Sequence, residues 1–102
     1  MKIKVKLDRS GMSVYKRAMN ATLATRPVTD SPNMNLLFPE APNLLAALDA
    51  YVATLDEYHP FKMARRDVIQ YVRSHPDIEG FRQIMGVSDE WVDALFVDAG
   101  KL

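Results

Sequence analysis

The sequence predicts a mainly α-helical protein: a compact bundle of four to five helices with one short N-terminal β-strand and a long proline-rich loop. Three observations carry that expectation. Apolar residues recur at helical spacing over most of the chain beyond residue 12, strict period-two alternation is confined to residues 2–7, and four of the six prolines fall between residues 26 and 42. A length of 102 residues allows one hydrophobic core rather than two, so a single domain over residues 1–102 is expected. With 48% apolar and 25% charged residues, the chain can bury that core and does not have the composition of a disordered one.

Taken in order, Lys2, Lys4 and Lys6 alternate with Ile3, Val5 and Leu7, the pattern of a half-buried strand over residues 2–7. A lone strand needs an edge, either in the proline loop near Val28 or Leu36-Leu37 or in a second chain; otherwise the segment is a tail whose Ile3, Val5 and Leu7 pack on the helices. After the turn Asp8-Arg9-Ser10-Gly11, a first helix is expected at about 12–25, with Met12, Tyr15, Ala18, Met19, Thr22 and Leu23 on one face. Pro27, Pro32, Pro39 and Pro42 then bar any helix from crossing residues 26–42. Leu36-Leu37-Phe38, inside that loop, either pins it over the open end of the bundle or faces a partner.

Asn43 caps a second helix at about 43–58, whose stripe is Leu44, Leu48, Tyr51, Val52, Leu55 and Tyr58 and which His59-Pro60 ends. A third, at about 61–74, buries Phe61, Ala64, Val68, Tyr71 and Val72 and displays Lys62, Arg65, Arg66 and Arg73 as a basic face. Pro76 stops it. A fourth, at about 77–85, is marked by Ile78, Phe81, Ile84 and Met85 and ends at Gly86. Ser88 caps a fifth, at about 89–99, with Asp89 and Glu90 against its positive end and Trp91, Val92, Leu95, Phe96 and Ala99 on its buried side.

Signals for catalysis are sparse. There is no cysteine, hence no disulfide and no thiolate ligand, which fits a reducing cytosol or a chain stabilised by packing alone. No glycine-rich phosphate loop and no histidine pair at i, i+4 is present, and no nucleophile–base pair can be assembled. The two histidines each precede a proline where a helix is expected to end, a position that suits the negative end of a helix dipole. Asp89, Glu90 and Asp93 are accounted for by capping and solubility. No enzyme activity, cofactor or metal is therefore expected.

No apolar run approaches the ~18 residues of a membrane span, and the basic N-terminus lacks a signal-peptide core, so a cytoplasmic protein without membrane contact is expected. Charge is uneven along the chain. Residues 1–26 carry seven Lys or Arg against Asp8, whereas residues 76–102 carry six acids against Arg82 and Lys101. Such ends are either ordinary solvated surface or suited to head-to-tail self-association and charged partners.

Two stretches resemble known patterns. Gly86-Val87-Ser88, with Phe81, Met85, Val87, Val92 and Leu95 around it, resembles the turn of a helix-turn-helix unit. Arg82 stands where that family places a small residue, and the helix that would read DNA carries Asp89, Glu90 and Asp93 with no base before Lys101. The run from Leu36 through Pro39 and Pro42 to Tyr51 resembles a Phe-Pro-x-x-Pro loop leading into a Leu/Tyr helix in small bacterial and phage helical-bundle proteins of unassigned function. That likeness implies a helical bundle and a phage or mobile-element setting, with no activity attached.

The expected function is a non-enzymatic protein–protein interaction or structural module, with Ile3, Val5, Leu7, Leu36, Leu37 and Phe38 as contact residues. Its concrete form is a phage-particle component or an inhibitor of a host factor. The alternative is a nucleic-acid-associated regulator holding phosphate on Lys62, Arg65, Arg66 and Arg73.

Overall fold

Backbone donors and acceptors must be paired, and residues 9–102, the part described by the computed structural model, pair them mainly in helices. A 3-10 turn at Arg9–Gly11 leads to β1 (Ser13–Tyr15) and α1 (Lys16–Leu23). A second 3-10 turn at Val28–Asp30 precedes α2 (Pro32–Leu37) and α3 (Leu44–Ala53). Then follow α4 (Pro60–Asp67), β2 (Gln70–Val72), α5 (Pro76–Met85) and α6 (Asp89–Ala99). The mainly helical class is as expected from the sequence; the expected strand over 2–7 lies outside the described residues.

Several boundaries differ from the sequence reading. The first helix begins at Lys16, because Ser13–Tyr15 is extended and pairs antiparallel with β2 in the register Ser13↔Val72, Val14↔Tyr71, Tyr15↔Gln70. Period-two burial explains it: Val14 is buried while Ser13 and Tyr15 face out. The helix expected over 61–74 is two elements. At Val68 the chain turns extended (ψ 140°), and β2 then hydrogen-bonds β1, extended at its ends by Lys16 N–H to Ile69 C=O and Arg73 N–H to Met12 C=O, both 2.9 Å. The Lys16 ammonium donates to the Arg65 carbonyl at 2.7 Å, satisfying an acceptor that the end of α4 leaves open.

The proline stretch does contain a helix. Pro32 occupies the first turn of α2, where its missing N–H costs nothing, and the Ser31 hydroxyl accepts from Met34 N–H at 3.1 Å as its cap. The same hydroxyl donates to the Met85 carbonyl at 2.6 Å, and Asn33 Nδ2 donates to the Ile84 carbonyl at 3.0 Å. The C-terminal end of α5 is thus satisfied by α2.

The histidines start helices instead of ending them. A residue before proline is driven to extended geometry, which is the geometry of an N-cap. His59 and His75 both adopt it, and their Nδ1 atoms accept from Phe61 N–H (3.1 Å) and Asp77 N–H (3.0 Å).

One core joins the helices. α1 packs chiefly on α6 and also on α3, α2 bridges α3 and α5, and α4 meets α5. Met34, Leu44, Met85, Val92 and Leu95 are fully excluded from solvent, and each such side chain contributes about 1.5–3 kcal/mol of burial. Leu44 and Leu48 of the expected α3 stripe are core, but α3 stops at Ala53 and Tyr58 is exposed.

Candidate functional site

Where α4 breaks into β2, the following helix does not close the gap. A pocket of about 330 Å³ opens between α4, β2 and α5. Its floor is core: Met19, Leu23, Leu48 and Phe96 contribute from α1, α3 and α6. Phe61, Ala64 and Val68 form one wall, Ile78 and Phe81 the opposite one, and Tyr71 with Val72 the third. Of the polar residues in its lining, Asp67, Gln70, His75 and Asp77 are exposed at the rim, whereas Arg65 and the Tyr71 hydroxyl are partly buried. Apolar walls with a few polar groups at the entrance are the ordinary form of a small-ligand pocket.

The mouth charges are mostly engaged. Arg65 donates to the Tyr71 hydroxyl (2.8 Å), to Asn20 Oδ1 (3.0 Å) and to Asp49 Oδ1 (3.3 Å). Burial raises the Tyr71 hydroxyl's pKa, with Arg65 opposing that shift. Arg66 pairs with Asp67 at 2.8 Å and holds that carboxyl below its ordinary range. Asp77 has no Lys or Arg within ion-pair distance among the described residues; its nearest charged-type neighbour is His75 Nδ1 at 3.5 Å.

The basic face expected on the third helix is not one surface. Arg73 is buried (5% exposed) at the end of β2, with its Nε on Asp93 Oδ1 (2.8 Å) and its Nη2 on Asp89 Oδ1 (3.1 Å). It leaves the face because the chain there is extended, so helical spacing no longer places it beside Lys62, Arg65 and Arg66. Lys62 donates to the Leu55 carbonyl at 3.3 Å, and with Lys16, Asn20, Asp49, Arg65 and Arg66 it lines a second, shallower depression.

Asp93 is a core carboxylate and not a solubilising one. Arg9 donates to both of its oxygens, Nε to Oδ1 at 2.9 Å and Nη2 to Oδ2 at 2.8 Å, with a longer Nε contact to Oδ2 at 3.2 Å, while Arg73 Nε also bonds Oδ1. The Arg9 hydrogen bonds, followed by those of Arg73, depress its pKa below the ordinary carboxylate range. A second pair, Arg26 with Asp98, also joins the basic first quarter to the acidic last quarter. Part of the sequence's charge asymmetry is therefore satisfied within the chain.

The expected contact residues separate. Leu36 and Leu37 are 81% and 55% exposed on α2, whereas Phe38 is half-buried and packs against the core. Phe38 is thus a packing residue that turns the chain back toward α3. Ile3, Val5 and Leu7 lie outside the described residues. In the helix-turn-helix-like segment, Gly86 is the left-handed cap (φ +70°). Its two helices make their principal contacts with other elements, α6 with α1 and α5 with α2 and α4. Arg82 points across the turn, donating to the Val87 carbonyl at 3.1 Å.

Sequence reasoning missed the pocket and the Arg9–Asp93–Arg73 clamp. No local signal marks either, since both arise where elements distant in sequence meet. No protein-family model, curated protein or solved structure matches the chain.

Proposed function

We propose that the protein is a non-enzymatic interaction module that engages a protein partner through Leu36 and Leu37. The observation behind this reading is the combination of exposure with rigidity. Two adjacent leucines project from a six-residue helix that is capped by Ser31 and tied to the end of α5 by Ser31 and Asn33. An ordered apolar ridge loses little entropy on docking, so its burial translates into affinity more fully than that of a loose loop. A complementary apolar groove on another protein is the matching surface. A phage-particle component or an inhibitor of a host factor remains the concrete form of this reading, on the likeness of the Leu36–Tyr51 stretch to small phage and bacterial helical proteins.

The test is Leu36→Asp combined with Leu37→Asp. The variant is expected to keep the wild-type far-UV CD spectrum and melting temperature within a few degrees, because both side chains are more than half exposed. It is expected to lose the co-purifying protein partner. Unfolding would show that the ridge is packing surface, and unchanged partner capture would remove the ridge from the interface.

A further inference from the structure

The pocket between α4, β2 and α5 is independent of the Leu36–Leu37 ridge and has its own chemistry. Native interiors leave few voids larger than a water molecule, yet this one reaches Leu23, Leu48 and Phe96, residues at most 2% exposed. Its volume of about 330 Å³ is roughly twice that of the ~150 Å³ apolar cavity known to take up benzene. The lining includes Phe61, Phe81, Tyr71 and Phe96, which favour an aromatic occupant through ring–ring contacts.

The entrance sets the head group. Arg65 is held by Asp49, Asn20 and the Tyr71 hydroxyl, and Asp67 is held by Arg66. His75 Nδ1 is engaged as the acceptor of the Asp77 N–H. Glu79, also in the first turn of α5, is paired with Arg82. What remains at the mouth is the Asp77 carboxylate, without a Lys or Arg counter-ion among the described residues.

We propose that this pocket binds a small aromatic amine of about two rings, its ring system against Phe61, Phe81 and Phe96 and its ammonium at Asp77. A matched set of probes separates the parts of this assignment: naphthylmethylamine, naphthylmethanol and naphthoate, titrated into the isotope-labelled full chain and followed by NMR. The amine and the alcohol are expected to give saturable shifts at Met19, Tyr71, Val72 and Ile78 and none at Leu36 or Leu37. At low salt the amine is expected to bind about two- to five-fold more tightly than the alcohol, the scale of one partly exposed ion pair, and the carboxylate more weakly than either.

Asp77→Asn is expected to bring the amine down to the alcohol. Ala64→Phe, which places a ring inside the cavity, is expected to abolish all three. If Ala64→Phe fails to fold, as judged by CD, the Asp77→Asn comparison decides by itself. Absence of saturable shifts at the lining residues with every probe overturns the site. Naphthoate binding as tightly as the amine overturns the head-group assignment.

Discussion

Asp93 lies on the buried side of α6, and two guanidinium groups reach it from segments that the sequence keeps far apart. Arg73 is almost fully buried and takes one carboxylate oxygen; Arg9, nearer solvent, bonds to both. A buried guanidinium deprived of its carboxylate is costly, typically by 3–5 kcal/mol, and Arg73 keeps only the more exposed Asp89 as a reserve. Asp93→Asn is therefore expected to destabilise the protein by about 3 kcal/mol in urea denaturation, at the low end of that range. The same group ties stability to pH. Its folded pKa is depressed, so its contribution is fully present above the unfolded value of about 4 and is lost as pH falls through the folded value. Stability is expected to drop on acidification below about pH 4, and to drop less steeply in Asp93→Asn. A steeper acid loss in the variant would contradict the ion-pair account. From the sequence, Asp93 reads as one of three surface acids near a capped helix start, because neither arginine is near it in the chain.

Elements were legible where local chemistry alone decides them. Asn43 and Ser88 cap α3 and α6 through bonds of 2.9 Å to Ala46 N–H and 3.1 Å to Trp91 N–H, and Gly86 ends α5, all where the sequence places them. Elements were misread where a distant partner decides. Val68–Val72 fits helical spacing as well as strand spacing, and Gln70–Val72 within it becomes a strand because Ser13–Tyr15, more than fifty residues earlier, supplies the hydrogen bonds. Pro32, His59 and His75 are local exceptions: an extended residue before a proline is an N-cap, so Ser31, His59 and His75 start helices where the prolines alone read as stops. Gly86 shows how one position can serve two elements. Its positive φ costs a non-glycine residue about 1–2 kcal/mol, and an added Cβ would also stand 2.8 Å from Asn33 Nδ2 of α2. Gly86→Ala is expected to lose at least that much stability, and to lose less in an Asn33→Ala background, where only the backbone strain remains. A double-mutant cycle measures the difference; simple additivity would mean that Asn33 moves aside freely. His75→Ala, which removes the cap of α5, is expected to cost about 1 kcal/mol in the same assay.

Across the whole molecule, the first and last segments of the described chain depend on each other. α1 has its main contacts with α6, Arg9 and Arg26 pair with Asp93 and Asp98, and β1 is fixed to β2 in between. The pocket exists only at this scale. It is the space left when α4 and α5 diverge around β2 over a floor drawn from α1, α3 and α6, so no stretch of sequence could have announced it. The same interdependence makes a prediction about unfolding. Trp91 is the only tryptophan, sits in α6, and its indole N–H reaches Asp30 Oδ2 at 3.2 Å in the turn before α2. Its fluorescence therefore reports the docking of α6 on the rest, whereas far-UV CD reports all the helices. If α6 is an integral wall of the core, through Val92, Leu95, Phe96 and Ala99, the two signals should give one coincident transition in urea. Asp93→Asn should shift both midpoints together, because it loosens the link between α6 and β2 without creating a separate unit. A fluorescence transition that precedes the CD transition would mean that α6 undocks first and that the core without it is stable.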